Sequence, residues 1–200
     1  MGVMEFFEVI RRRRSIRHFT PEPVREEDLL AMLEAARLAP SAHNEQPWHF
    51  IVIRDQELKS KLRDIVSAII EAQIEMAEDE ARKRELEERR FYATNFASAP
   101  VVVVVLTRPF PGPSPEEQPP FNQGLQSVAA AITQLHLAAT ALGYGSCWTT
   151  LPLEFAGSEI EAILGVEKPW FAVAILPIGV PARMPKEVKR KPLEEVVTFT

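Results

Sequence analysis

Five arginines crowd the first seventeen residues, Arg11 to Arg14 and Arg17, with Ser15 set between them. Each guanidinium is a planar fork of donors, so several of them beside a hydroxyl suit a phosphate with more than one oxygen to satisfy. A solvated charged face is the plain alternative. An arginine-rich RNA-binding stretch fits less well, because no aromatic platform is interleaved with the run and the chain as a whole is acidic. Its formal charge is −5, from 23 Lys and Arg against 28 Asp and Glu. That field gives no reason to expect nucleic acid or an anionic membrane as partner.

Three other stretches carry candidate chemistry. Pro40-Ser41-Ala42-His43-Asn44-Glu45-Gln46-Pro47-Trp48 sets amide and hydroxyl side chains between prolines. That suits directional hydrogen bonds to the edge of a heterocycle, or equally a capped turn that satisfies its own backbone. Leu142-Gly143-Tyr144-Gly145-Ser146-Cys147-Trp148-Thr149-Thr150 allows close backbone approach to a flat ligand, or simply stops a helix before a strand. A second basic island, with Arg183, Lys186, Lys189, Arg190 and Lys191, either converges with the first on one phosphate or is a solvated tail.

Other templates fail. The sequence holds no G-x-G-x-x-G, G-x-x-x-x-G-K-[ST], H-E-x-x-H or G-x-S-x-G motif. His18, His43, His49 and His136 lack metal-ligand spacing, so no metal site is expected, and His136 reads as a core or interface residue. Cys147 is the single cysteine and has no base beside it in sequence, which argues against a nucleophile.

These residues need elements to hold them. Phe6, Phe7, Val9 and Ile10 predict a short opening helix that ends near Arg13 or Arg14. Residues 25–38 follow with apolar positions at helical spacing and acids in the first turn. Strands are expected at 48–53, at 101–107, at 170–178 and, last, at 196–199. The charged stretch 57–92 predicts one long or two shorter exposed helices, and residues 108–121, with six of the 17 prolines, a surface loop. Residues 123–142 are Ala- and Leu-rich nearly all round, as a largely buried central helix should be. Ser158 with Glu161 reads as the capping box of a short helix ended by Gly165. Without a regular βαβ rhythm, α+β layers are favoured over a doubly wound sheet.

With 46% apolar and 26% charged residues in 200, and neither repeat nor linker, one domain over residues 1–200 is expected. The lone cysteine suits a reducing compartment. The first residues form neither a signal h-region nor, with Phe6 in place, a myristoylation motif, and no apolar run approaches a membrane span. A soluble, cytoplasmic protein is therefore the expectation.

Taken together, RRRRSIRHF, LEAARLAPSAHNEQPWHFIVI, LGYGSCW and RKPLEEVV, in that order over nearly the whole chain, resemble the nitroreductase family of FMN-dependent oxidoreductases. The resemblance implies a three-layer α+β fold, with a central mixed, mainly antiparallel sheet flanked by helices. It also implies a homodimer with a long central helix at the interface and an FMN in each of two shared clefts. By position, Arg13, Arg14, Ser15 and Arg17 would hold the phosphate, ribityl chain and pyrimidine edge, and Arg190, with Lys189, would meet the phosphate from the tail. Pro40, Ser41, Ala42, Asn44 and Gln46 would come from the other subunit. Trp148, Thr149 and Thr150 would lie along the isoalloxazine, with a backbone N–H near N5.

The implied activity is transfer of hydride from NADH or NADPH to flavin N5 and then, by a ping-pong route, to a nitroaromatic, quinone or similar small acceptor. No protein acid, base or nucleophile is implied. The same motifs occur in specialised relatives that fragment flavin, remove halogens or serve deazaflavin synthesis, and a flavin-binding module without turnover would keep them too. The 71–90 stretch and the 108–121 loop fall where such proteins vary, so acceptor and pathway are left open.

Overall fold

The computed structural model describes residues 5–109, 123–185 and 188–200. Most of the proline-rich stretch, residues 110–121, lies outside them. Among the described residues the chain runs α1 (Phe6–Arg12), α2 (Glu26–Arg37), β1 (Trp48–Ile53), α3 (Gln56–Met76), α4 (Glu80–Thr94), β2 (Val101–Thr107), α5 (Gln123–Ala141), β3 (Gly145–Ser146), α6 (Leu151–Leu164) and β4 (Phe171–Gly179). The strands form one sheet in the order β1-β2-β4-β3, antiparallel at every step. Among the described residues the one parallel pairing is the isolated bridge between Ser15 and Ser146.

β2 sits between β1 and β4, and every one of its residues is buried. Its five consecutive valines suit a strand covered on both faces, where β-branched side chains pack against the pleat. Because side chains alternate, Val101, Val103 and Val105 face one core with Leu29 and Met32 of α2 and Ile132 and Leu135 of α5. Val102, Val104 and Leu106 face a second core with Leu62, Val66 and Ile70 of α3, Leu86 of α4 and Ile160 of α6. Helices on both faces of an antiparallel sheet make the expected three layers.

Residues 57–92 resolve into two helices, because Asp79 starts a second one. Its carboxylate accepts from the amides of Ala81 and Arg82 at 2.7 and 3.0 Å. Two expectations fail. The final helix starts at Leu151, with Pro152 in its first turn, and runs through a kink at Ala156. Glu161, read as half of a capping box, instead accepts from the amide of Ala172 at 2.8 Å. Residues 196–199 form no strand: a short 3-10 turn at Leu193–Glu195 precedes an exposed end. No helix among the described residues is long and apolar enough to cross a membrane.

Candidate functional site

α1 stops at Arg12, and the chain beyond it is extended and laid against β3. The amide of Ile16 donates to the carbonyl of Ser146 at 2.9 Å. This places alternate residues on opposite sides. Arg12, Arg14 and Ile16 line a cleft of about 160 Å³ with Thr140 and Tyr144. Arg13, Ser15 and Arg17 act on the other side, where all three influence the Cys147 thiol. The alternation depends on Gly145: a Cβ there would lie 2.5–2.8 Å from three atoms of the buried Ile16 side chain. Glycine supplies room here for two backbones to approach.

The glycine turn before β3 is anchored from α2. The Tyr144 hydroxyl donates to Asp28 Oδ2 at 2.7 Å, and Arg25 grips the same carboxylate at 2.7 and 3.0 Å. Arg25 first and Tyr144 second hold the Asp28 carboxyl below its ordinary range.

The charge pattern separates the arginines. Arg11 and Arg12 pair with Glu8. Arg13, Arg14 and Arg17 have no carboxylate partner among the described residues. Arg14 instead donates to the carbonyls of Arg11 and Arg13 at 2.6 and 2.9 Å, at the carbonyl-rich end of α1. Arg17 is held at both ends. Asn95 Nδ2 donates to its carbonyl at 2.5 Å, and its guanidinium lies 5.5 Å from the centre of the Tyr92 ring. Ser98 Oγ bonds Asn95 Oδ1 at 3.0 Å, which leaves the Asn95 amino group for Arg17.

Beyond Cys147 the backbone is partly committed. The Thr149 amide donates to Ile175 at 3.1 Å, whereas the amides of Trp148 and Thr150 have no partner among the described residues. Trp148 is exposed, and the Thr150 hydroxyl donates to Glu154 at 3.1 Å. Cys147 is buried, and burial raises its thiol pKa against the pull of Arg17, Ser15 and Arg13. A thiol kept protonated is a poor nucleophile.

His136 on α5 reaches the same strand, with Nδ1 2.5 Å from Ser146 Oγ. Its Nε2 is buried without a partner among the described residues. Burial, and secondarily Arg13, lower its pKa to about 4 from an ordinary 6.5. The unfolded chain therefore takes up a proton between pH 6.5 and about 4 that the folded chain refuses, so His136 withdraws stability as pH falls through that window. At ~1.4 kcal/mol per pKa unit this amounts to roughly 3 kcal/mol. Denaturant midpoints of wild type and His136→Gln across the window check it: the gap between them should change by that order, and a constant gap contradicts it.

The structure thus brings Arg13, Ser15 and Arg17 together around Cys147, with Thr149 lining the same small pocket as Arg17, towards the C-terminal end of α5. It does not bring the 40–48 loop there. That loop sits at the other end of α5, where the Ala42 amide donates to Ser127 Oγ at 3.1 Å. Ser127 and His136 are nine residues apart, ~13 Å along a helix. His43, Asn44 and Gln46 take positive φ of 51, 57 and 48°, and the Gln46 amide bonds Ser41 Oγ at 3.0 Å. Lys189 and Arg190 lie on the exposed tail, with no bond to the arginine segment among the described residues. The sequence reading missed Asn95 and Tyr92, which touch this region only through contacts between distant segments.

Residues 10–180 match the profile described as Nitroreductase family. A putative NADH dehydrogenase/NAD(P)H nitroreductase of Archaeoglobus fulgidus is 29% identical over 178 residues, 88% of this chain and 86% of its own length. A BluB-like flavoprotein from Clostridium difficile 630 superposes with a TM-score of 0.84 at 36% identity, covering 98% of this chain and 99% of its own. An iodotyrosine deiodinase solved with FMN and 3-iodo-L-tyrosine superposes with a TM-score of 0.76 at 27% identity, over 98% of this chain and 100% of its own.

Proposed function

Because the chain belongs to the nitroreductase family, we propose that it is an FMN-dependent oxidoreductase that passes hydride from NADH or NADPH to a small acceptor such as a nitroaromatic or quinone. The observation that carries this reading is the pair of arginines without carboxylate partners, Arg13 and Arg17, which together with Ser15 act on Cys147 just beyond β3. Cations left without protein anions fit a phosphate-bearing ligand.

Bound here, FMN supplies the hydride-transfer chemistry, and the protein supplies orientation and charge. Arg13 and Ser15 would hold the phosphate and ribityl chain from the Cys147 side, and Arg14 would reach the phosphate only from the other side of the segment, assisted by Arg190 and Lys189. Arg17, fixed by Asn95 and Tyr92, would set a cation at the pyrimidine edge, where it stabilises negative charge. The Trp148 and Thr150 amides are available to the ring, whereas that of Thr149 is already used by β4.

A second copy of the chain completes the cleft in this reading. Pro40, Ser41, Ala42, Asn44 and Gln46 stand at the opposite end of α5 from Arg17, so they reach a flavin only on a partner. Phe6 and Phe7 of α1, 60% and 61% exposed, add apolar surface for such an interface.

Flavin analysis before and after aerobic turnover with a quinone tests the reaction type. FMN recovered intact while NADH or NADPH is consumed is the expected result. FMN converted to fragments would point to a flavin-consuming enzyme, and no nicotinamide oxidation would leave a binding module.

A further inference from the structure

Lys59 of α3 is 2% exposed, the bulkiest side chain fully buried among the described residues. A buried ammonium is costly unless its protons are spent on hydrogen bonds. Lys59 Nζ spends them on two consecutive carbonyls, donating to Ala99 at 2.6 Å and to Pro100 at 3.1 Å. Its one carboxylate influence, Asp55, acts through space. Those carbonyls directly follow the 3-10 turn at Asn95–Ser98, and Gln56, three residues before Lys59, donates to the carbonyl of Ala97 within it at 3.4 Å. The Pro100 ring fills the space that a Cβ on Gly179 of β4 would need, 2.6 Å from it. The turn is thus held both from α3 and from β4. It carries Asn95, which grips the carbonyl of Arg17. Ser98 Oγ in turn ties Asn95 at two atoms, donating to its carbonyl at 2.8 Å and lying 3.0 Å from its Oδ1. Ala99 follows Ser98 directly, so a shift of the Ala99 carbonyl moves the residue that orients Asn95.

We propose that Lys59 is a positioning residue for the cation at the flavin's pyrimidine edge: its buried ammonium fixes the Asn95–Ser98 turn, and through Asn95 it sets the place of Arg17. An apolar side chain of the same length would fill the site without the cost of burying a charge. What Lys59 adds is direction. Two hydrogen bonds hold the Ala99 and Pro100 carbonyls in one orientation, which the packing of Phe96 and Ala97 into the core does not do. The inference rests on the FMN reading for its effect on the flavin, whereas the linkage from Lys59 through Asn95 to Arg17 does not depend on it.

The test is a double-mutant cycle on flavin-loaded protein, read as the midpoint potential of the bound FMN. A cation held at the pyrimidine edge favours reduced over oxidised flavin. Lys59→Met should weaken that preference about fivefold, a fall of about 20 mV for a two-electron couple. Asn95→Ala should do at least as much, and Lys59→Met placed on Asn95→Ala should add nothing further. Val66→Ala, a cavity on the buried face of the same helix, controls for lost stability and should leave the potential unchanged. An unchanged potential in Lys59→Met, additive shifts in the double variant, or an equal shift in Val66→Ala overturns the proposal. Where Lys59→Met does not fold, Lys59→Gln, which offers one amide to the two carbonyls, enters the same cycle under the same criteria. Failure of the FMN reading would look different: wild type that neither contains nor takes up FMN. Hydrogen exchange of the Asn95 side-chain amide in the flavin-free protein then decides the linkage, with exchange about tenfold faster in the Lys59 variant supporting it and an unchanged rate refuting it.

Discussion

Replacing Arg13 and Arg17 together with alanine is expected to weaken FMN binding at least a hundredfold and to leave the fold standing. Both side chains act on the Cys147 side of the extended segment, and neither has a carboxylate partner among the described residues. Losing a hydrogen bond to a charged group costs roughly 1.5–3 kcal/mol. Two such losses, at about 1.4 kcal/mol per factor of ten, exceed two decades. The fold should tolerate the change because no internal ion pair is broken. Arg12→Ala is the matched control: its guanidinium bonds Glu8 at 2.6 Å on the opposite side, and its removal should leave FMN affinity within a few fold. Fluorescence titration of apoprotein with FMN reads both variants. A double variant with wild-type affinity would remove the arginine segment from the account.

The second large effect is expected from one methyl group. Gly145→Ala places a Cβ 2.7 Å from Ile16 Cβ and 2.5 Å from Ile16 Cγ1, inside any tolerable contact. Ile16 is 3% exposed and cannot swing away into solvent. The segment carrying Ser15 and Arg17 must lift off β3, weakening the Ile16–Ser146 hydrogen bond. Overpacking of this kind costs ~1–3 kcal/mol, and displaced cations should weaken FMN binding about tenfold or more. Gly143→Ala is a contrast, since nothing lies within 4 Å of its Cβ but its φ of +86° strains any other residue. That variant should lose stability while keeping most of its flavin affinity. Thermal unfolding and FMN titration of both variants separate the two mechanisms, and equal flavin loss in the two would contradict the packing argument.

The core elements were legible because their side chains speak for themselves. The valines of β2 and the Ala-rich α5 need burial on most sides, and the layered α+β architecture follows from covering them. Residues 158–165 misled because Ser158 and Glu161 match a local signature, whereas the Glu161 carboxylate is used by Ala172, eleven residues on. Val196, Val197 and Phe199 have the composition of a strand but no sheet edge to join, and composition cannot supply one.

The site divides in the same way. Arg13, Ser15 and Arg17 were visible as a motif, but their separation from Arg14 depends on an extended backbone that only the contact with β3 imposes. Asn95 and Tyr92 come from the end of a highly charged helix that reads as solvated surface. The Asn95–Arg17 bond spans 78 residues and the Arg183–His18 bond 165. Pairings over such distances leave no periodic trace in a sequence.

The central claim is that the chain holds FMN and reduces it with a nicotinamide, and anaerobic titration of the flavin-loaded protein with NADH and with NADPH tests it most directly. At least one of the two should bleach the flavin's visible absorbance at a stoichiometry near one per bound FMN, with the colour restored by adding a quinone. Loaded protein whose flavin neither nicotinamide bleaches, although dithionite does, would contradict the account.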